Sequence, residues 1–294
     1  MSTTKIRQTA GAGVLYVVAT PIGNADDISA RAIRVLSEVD AIACEDTRRT
    51  GLLLAHHAIR VPMISYYEHN EERRTPELIE RMAADQKIAL VTDAGTPAIS
   101  DPGFRLVRAA LDAGIKVIAV PGACAAVAAL SIAGLATNRF TFEGFLPQRG
   151  GARRKLLEAL RREHRTMVFY EAARRLADTL AEMAEAFGGS RKAAVVREIT
   201  KTYEETIRGT LDELAKRFRE QPALGEVTIV VEGAPENSTD STIEGTPVTV
   251  EILREAGLSL KQASAVLSRL SGRPRREIYQ DAIKSNASEE AGDE

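Results

Sequence analysis

Short apolar runs alternate with helical patterns through the first 133 residues. VLYVVA (14–19) is rich in β-branched residues and ends in a Pro-containing turn, which predicts a buried strand. Further strands are predicted at 41–45, 87–92 and 116–120. Helices are predicted from an N-cap at Asp27, from Thr75 with Pro76 at its first position, over 102–113 and over 123–133. This regular alternation predicts an α/β fold with a parallel sheet.

The pattern changes after residue 140. Strands are predicted at 141–145, 166–171, 192–199, 203–208 and 225–232, with helices at 152–164, 173–187 and 210–220. Because one strand follows another directly within 192–208, we expect this second sheet to be mixed.

The remaining sequence predicts a linker and a small third part. Residues 233–246, GAPENSTDSTIEGT, are rich in Pro, Ser, Thr and Gly and carry no apolar period. The predicted parts are an N-terminal α/β domain (14–121), a second α/β domain (122–232), the linker (233–246), a small helical module (247–284) and a disordered acidic tail (285–294).

Composition excludes several classes of protein. The chain has 294 residues, 44% of them hydrophobic and 27% charged, which is typical of globular proteins. It contains neither an apolar run long enough for a membrane span nor the apolar segment of a secretory signal, so we expect a cytoplasmic protein. Cys44 and Cys124 lack CxxC spacing and the four histidines form no HExxH, so we expect no disulfide framework and no metal.

Three loops follow the carboxyl ends of predicted parallel strands. They are Thr20–Asn24, Asp93–Pro97 continuing to Ser100–Gly103, and Pro121–Ala125. Ligands of open α/β sheets collect at this edge, so the loops are expected to converge on one crevice. Gly95 permits close approach of the backbone, and Asp93 and Asp101 offer acceptors for ribose hydroxyls or an ammonium group. Each loop alone is also consistent with a plain tight turn, and none has a GxGxxG or P-loop pattern.

A second group of polar residues, EDTRRT (45–50), ends the second predicted strand. Glu45 or Asp46 is suited to accept a proton, and Arg48 is suited to hold a phosphate. The alternative is that Asp46 caps the following helix and pairs with Arg48. His69 is a further candidate base or base-stacking residue, although a lone histidine is more often structural.

A basic segment stands out in a chain whose net charge is −2. Residues 149–165 contain seven basic side chains against two acidic ones: Arg149, Arg153, Arg154, Lys155, Arg161, Arg162 and Arg165 against Glu158 and Glu163. With Arg273, Arg275 and Arg276 near the C-terminus, they predict two zones that contact phosphates of a folded RNA. The alternative is a solvated helix face.

Several motifs carry a family resemblance. They are LYVVATPIGN (15–24), ACEDTRRTGLLL (43–54), VTDAGTPAISDPG (91–103), VPGACA (120–125), FEGFLPQRG (142–150), VFYEA (168–172), and REITKTYEE with RGTL (197–211). Together they resemble the ribosomal RNA small subunit methyltransferase I family, which belongs to the tetrapyrrole-methylase-like (class III) methyltransferases that use S-adenosylmethionine. The resemblance spans about residues 14–284 in order.

The resemblance implies a homodimer of two-domain α/β subunits that holds S-adenosylmethionine between the domains. The implied reaction is 2′-O-methylation of a cytidine in the decoding region of 16S rRNA in the small ribosomal subunit. Matching positions imply a cofactor pocket of Ile22, Asp93, Thr96, Ala123, Cys124 and Tyr170, with Glu198 and Glu226 as weaker transfers. One departure is FYEAARRL (169–176), which lacks the proline and histidine of the common FYEAPHRL and so excludes a catalytic histidine there.

For this reaction, we hypothesise that Asp46 or Glu45 accepts the hydroxyl proton while Arg48 holds an adjacent phosphate. Two alternatives stay open. One is a methylase of the same fold that acts on a tetrapyrrole or on diphthamide, against which the basic segments argue. The other is a non-catalytic RNA-binding factor in ribosome assembly.

Overall fold

The computed structural model describes residues 13–235 and 248–290, the last eight as backbone alone. The chain divides into two compact units at about residue 236. Most of the expected linker, 236–246, lies outside the described residues, as do 291–294 of the expected tail.

A five-stranded parallel sheet forms the first half of the larger unit. Its strands are β1 (Val14–Val18), β2 (Ala41–Cys44), β3 (Met63–Ser65), β4 (Lys87–Val91) and β5 (Lys116–Val120), in the order β3-β2-β4-β1-β5. Each neighbouring pair is parallel, which confirms the predicted parallel sheet. The sequence pattern missed β3, because it has three residues and begins with an exposed methionine.

Four helices connect these strands: α1 (Ala30–Glu38), α2 (Thr47–His56), α3 (Glu71–Ala83) and α4 (Phe104–Asp112). The N-cap of α1 is Ser29, whose hydroxyl accepts from the Ala32 amide at 3.1 Å, so the prediction of Asp27 was wrong. Asp27 lies in a preceding 3-10 turn.

Helix α3 begins earlier than predicted and therefore contains Pro76. The Asn70 side chain accepts from the Tyr67 amide at 2.9 Å and donates to the Ser65 carbonyl at 3.1 Å, which fixes the chain just before the helix. The charged residues 71–74 then form the first turn, since Glu and Arg have high helix propensity.

The second half contains a mixed five-stranded sheet, as predicted. Its strands are β6 (Phe140–Phe145), β7 (Thr166–Ala172), β8 (Lys192–Arg197), β9 (Glu205–Thr210) and β10 (Glu226–Val231), in the order β6-β7-β10-β8-β9. β6 and β7 are parallel, whereas the other pairs are antiparallel.

Helices cover both faces of the mixed sheet. On one face, α6 (Gly150–Leu160), α7 (Leu176–Phe187) and α8 (Leu211–Glu220) share a core that includes Leu157, Phe169 and Phe218. On the other face, α5 (Ala125–Ile132) buries Ala129 against Val168 and Val230. Because α5 follows β5 directly yet packs on the second sheet, the loop before it joins the two halves. The boundary between residues 121 and 122 stays a prediction.

The C-terminal unit has three helices in its described residues: α9 (Val250–Glu255), α10 (Leu260–Ser271) and α11 (Arg275–Glu290). They bury a small core of Val250, Ala263, Ile278 and Ala282. Helix α11 extends through 285–290, where we expected a disordered tail. Ala287, Glu289 and Glu290 favour continuation of a helix that has already formed.

None of the helices described is long and apolar enough to cross a membrane. Likewise, the His, Cys, Asp and Glu side chains of 13–235 and 248–282 form no group suited to a metal ion.

Candidate active site

The three loops predicted to converge do meet at the carboxyl ends of β1, β4 and β5. Thr20 and Gly95 exchange backbone hydrogen bonds of 2.9 and 3.1 Å, which join the first loop to the second. The Thr96 hydroxyl donates to the Ala123 carbonyl at 3.2 Å and joins the second loop to the third. Gly95 has a φ of +81°, and a Cβ built on it would lie 3.4 Å from Ile22 Cγ2. The positive φ, rather than a lack of space for a Cβ, therefore favours glycine at this point of contact between the loops.

A cavity of about 820 Å³ lies between these loops and the second sheet. Five of the predicted cofactor residues line it: Ile22, Gly95, Thr96, Cys124 and Tyr170. Its volume lies within the range of small-molecule sites, and its wall is mainly apolar with a few polar groups. Glu226, one of our weaker transfers, also lines the cavity.

The other predicted cofactor residues, Asp93, Ala123 and Glu198, hold the cavity loops in place through hydrogen bonds and ion pairs. Asp93 accepts from the Asp46 amide at 3.1 Å and pairs with Arg49 at 3.4 Å. Ala123 holds Thr96 through its carbonyl. Glu198 accepts from the Glu226 amide at 3.0 Å and pairs with Lys201 at 3.0 Å, which fixes the turn before β10. These residues do not line the cavity.

Tyr170 joins the two halves across the cavity. Its hydroxyl accepts from the Ala126 amide at the start of α5 at 3.1 Å. Its ring contacts Phe142 and Phe145, with centroids 4.9 and 5.5 Å away. Burial raises the pKa of Tyr170 to about 12, so the hydroxyl stays protonated at neutral pH. Tyr170 is thus a neutral wall residue that also fixes the entry of α5.

Asp46 adopts the alternative role that the sequence left open. Its carboxylate caps α2 by accepting from the Arg48 amide at 2.8 Å, and it pairs with the Arg48 guanidinium at 2.7 Å. These hydrogen bonds hold the pKa of Asp46 well below its usual range. A carboxylate stabilised in this way is a poor proton acceptor, and Asp46 does not line the cavity. The geometry therefore does not support Asp46 as the base, nor Arg48 as a free phosphate clamp.

Two other carboxyl groups differ from Asp46. Burial raises the pKa of Glu45, which accepts from the Asp93 amide at 3.3 Å but does not line the cavity. Asp101 does line the cavity, and burial together with the neighbouring Glu45 raises its pKa to about 6. The sequence marked Asp101 only as a hydrogen-bond acceptor, because its burial depends on segments distant in the chain.

His69 is exposed and lies outside the cavity wall.

The predicted RNA-contacting residues divide into free and paired groups. Arg149, Arg154 and Lys155 are exposed on and beside α6. Arg153 instead forms an ion pair with Glu182 of α7, and its side chain is 12% exposed. We therefore leave Arg153 out of the proposed RNA surface.

In the C-terminal unit, Arg273 and Arg275 make contacts within the unit. Arg273 pairs with Asp281 at 2.6 Å, and Arg275 donates to the Lys261 carbonyl at 2.9 Å. Arg276 is exposed.

Arg174 is a site residue that the sequence reasoning did not select. It is exposed and lines the cavity, immediately after β7. The available signal was its position in FYEAARRL, where it occupies the place of the histidine in the common motif. A guanidinium here places a fixed positive charge at the cavity rim.

Comparisons with known proteins agree with this architecture. Residues 14–215 match the family of Tetrapyrrole (Corrin/Porphyrin) Methylases. The chain is 44% identical over 274 residues to ribosomal RNA small subunit methyltransferase I of Pasteurella multocida, which covers 92% of this chain and 97% of the relative. The protein of the same name from Synechocystis is 46% identical over 276 residues, covering 94% and 99%. The chain belongs to the ribosomal RNA small subunit methyltransferase I family.

A solved structure shares the fold of this family member. The structure is uroporphyrin-III C-methyltransferase from Thermus thermophilus in complex with S-adenosylhomocysteine, with a TM-score of 0.53 and 20% identity, covering 74% of this chain and 97% of that one. The class III methyltransferase fold implied by the sequence motifs is confirmed. Family membership makes this chain a methyltransferase whose cofactor is S-adenosylmethionine.

The cavity fits this cofactor chemically. Ile22, Cys124 and the Tyr170 ring give an apolar wall suited to adenine. The carboxylate of Glu226 can accept from ribose hydroxyls or an ammonium group, and Arg174 can pair with a carboxylate. A nucleoside with an amino-acid end requires this combination of surfaces.

Proposed function

We propose that this protein transfers a methyl group from S-adenosylmethionine to the 2′-oxygen of a cytidine in the decoding region of 16S rRNA, within the small ribosomal subunit. The observation that carries the proposal is the identity of 44% or more, over nearly the whole length, to relatives named ribosomal RNA small subunit methyltransferase I. The 820 Å³ cavity at the sheet edge supplies the site that such a reaction needs.

S-Adenosylmethionine, when bound, supplies a methyl group on a positively charged sulfur. The residues that would hold it are Ile22, Gly95, Thr96, Cys124 and Tyr170. The chain contributes mainly positioning: the tied loops hold one side of the cavity, and the Tyr170 hydroxyl holds α5 on the other. Apolar walls exclude water, so a correctly placed hydroxyl is the available nucleophile.

A direct test uses purified protein, labelled S-adenosylmethionine and small ribosomal subunits that lack the modification. We expect label in 16S rRNA, resistant to alkaline cleavage at one cytidine because the 2′-oxygen is blocked. Label on a base, or transfer to a uroporphyrin substrate with none to RNA, would contradict the proposal. A non-catalytic assembly factor would show no heat when titrated with the cofactor.

The exposed basic residues of α6 form the proposed RNA surface. Arg149, Arg154 and Lys155 share this segment. Cations without rigid acidic partners are free to neutralise phosphates. The surface therefore positions the RNA, whereas the cavity receives the target nucleotide.

Arg154→Ala is expected to weaken 16S rRNA binding and to lower the slope of log affinity against log salt by about 1. Arg153→Ala, one position earlier, is the matched control: it breaks the ion pair with Glu182 and costs about 2 kcal/mol of stability. We expect the control to keep the wild-type salt slope. Filter binding over a range of salt concentrations and urea unfolding measure both effects, and equal slopes for all three proteins would exclude Arg154 from the surface.

Asp46→Asn is expected to retain the wild-type rate of methyl transfer, because Asp46 caps a helix outside the cavity. Asparagine is also a good N-cap, whereas Asp46→Ala is expected to lose about 1 kcal/mol of stability. Single-turnover rates with saturating cofactor and thermal unfolding check both expectations. A rate loss of about 100-fold in Asp46→Asn would restore our initial hypothesis.

We further propose that the protein acts as a homodimer. Large apolar side chains are exposed on the described surface, among them Leu52, Phe104 and Val127. Subunit interfaces commonly cover residues of this kind. Sedimentation equilibrium tests this proposal, and a monomer at micromolar concentration would contradict it.

A further inference from the structure

Asp101 lies where the cofactor cavity is bounded by both halves of the larger unit. It belongs to the loop after β4 and lines the cavity, as does Tyr170 from β7, and the negative charge of Asp101 helps to raise the pKa of Tyr170. The charged and titratable groups near Asp101 are Glu45 after β2, Asp93 in its own loop and Tyr170, with Arg174, Glu171 and Glu226 elsewhere in the wall.

The loop that presents Asp101 is strained and held from behind. Ala98 and Ser100 have positive φ values of +69° and +61°, which non-glycine residues rarely adopt. The Gly103 amide donates to the Glu71 carboxylate of α3 at 2.7 Å, which anchors the end of the loop. Backbone strain of this kind persists only where surrounding contacts enforce it, and it is concentrated at functional sites.

The neighbouring carboxylates are occupied by structural contacts. Asp46 is paired with Arg48, and Asp93 is paired with Arg49. Glu45 accepts from the Asp93 amide and does not line the cavity. Asp101 lines the cavity, and no Lys or Arg among the described residues forms an ion pair with it. The Thr92 hydroxyl interacts with Asp101, and the carboxylate keeps further acceptor positions for a substrate hydroxyl.

We propose that Asp101 accepts the proton of the target 2′-hydroxyl during methyl transfer. This assignment rests on the proposed function, since it requires a hydroxyl nucleophile. The hydroxyl oxygen forms a bond to the methyl carbon, and the carbon–sulfur bond breaks with its electron pair remaining on sulfur. The proton passes to the Asp101 carboxylate and then to water. A pKa of about 6 leaves Asp101 ionised at neutral pH and able to accept a proton.

The test compares wild type, Asp101→Asn and Asp112→Asn, whose residue lies in an exposed ion pair at the end of α4. We expect the wild-type single-turnover rate to rise with pH and level off, with a midpoint at or below about 6, since the cationic cofactor lowers the pKa further. The single-turnover rate of Asp101→Asn should be at least about 100-fold lower than that of wild type and should no longer depend on pH. The cofactor Kd of this variant should stay within about threefold of wild type. Asp112→Asn should match wild type.

A second readout does not depend on activity. The folded-state pKa of Asp101, about 6, exceeds its ordinary value of 3.8, so the ionised form is penalised in the folded chain and stability falls as pH rises through that interval. Asp101→Asn should therefore have a higher Tm than wild type at pH 8, with a smaller difference at pH 5. A variant that is more stable yet inactive distinguishes a proton acceptor from a structural residue.

Three outcomes would overturn the assignment. Asp101→Asn with a wild-type rate would exclude the role, and a loss of cofactor affinity equal to the rate loss would make Asp101 a cofactor-binding residue. A lower Tm at pH 8 would indicate a structural role. Methyl transferred by the wild type to a base would overturn the proposed function itself, which mapping of the product distinguishes from the other results.

Discussion

Gly95→Val is expected to weaken binding of S-adenosylmethionine by at least about 100-fold. Gly95 has a φ of +81°, which is strained for a β-branched residue. A Cβ there would already be in contact with Ile22 Cγ2 at 3.4 Å, so the two γ-methyl groups of valine would overpack the point where the loops meet. Strain and overpacking each cost about 1–3 kcal/mol, and about 1.4 kcal/mol corresponds to a tenfold change in affinity. Isothermal titration with the cofactor measures the effect.

Gly114→Val is the matched control. Gly114 also has a positive φ, +71°, but a Cβ added there would have no atom within 4 Å, and the residue precedes β5 at the opposite edge of the sheet. This variant carries the backbone strain without changing the cavity. We expect it to lower Tm and leave the Kd within about twofold of wild type, and a Gly95→Val protein with wild-type affinity would show that the loops do not contact the cofactor.

Arg175→Ala is expected to destabilise the protein by about 3 kcal/mol. The Arg175 guanidinium donates to the Glu171 carboxylate at 2.8 and 2.9 Å, and the Glu171 side chain is 1% exposed. Removing one partner leaves an uncompensated buried charge, which costs more than the pair contributes. Urea unfolding followed by circular dichroism gives the change in the free energy of unfolding.

Arg174→Ala, at the preceding position, should change stability by no more than about 0.5 kcal/mol, because the Arg174 side chain is exposed. We expect it instead to weaken binding of S-adenosylmethionine, because Arg174 lines the cavity and can pair with the carboxylate of the cofactor. We therefore expect the two neighbouring variants to differ: Arg175→Ala lowers stability, whereas Arg174→Ala weakens ligand binding. Similar losses of stability in both variants would contradict the structural distinction.

The architecture of the chain could be predicted from local pattern. Strands such as β1, β4 and β10 consist mainly of apolar residues, so their positions follow from the sequence. The loops near Ile22, Gly95 and Ala123 converge because the carboxyl ends of parallel strands meet at one edge of the sheet. The family motifs, which run in order along the chain, identified the fold and the cofactor.

Assignments of individual charged residues depended on contacts between distant segments. Arg153 and Arg154 are adjacent in sequence, yet one is paired with Glu182 and the other is exposed. Nothing in the local pattern separates them, because helix position relative to α7 decides which side chain finds a partner. The same holds for Asp46 and Asp101, which the sequence presents as similar carboxylates in loops after strands.

The sequence by itself determined the two α/β halves, the crevice at the sheet edge and the methyltransferase family, because apolar periodicity and contiguous motifs are local properties. The tertiary structure decided which carboxylate is paired with an arginine and which lies half-buried in the cavity wall. Burial and Coulomb interactions depend on the distances between residues far apart in the chain, and these raise the pKa of Asp101 while Arg48 lowers that of Asp46. The proposed proton acceptor could therefore be chosen only once the fold had brought those residues together.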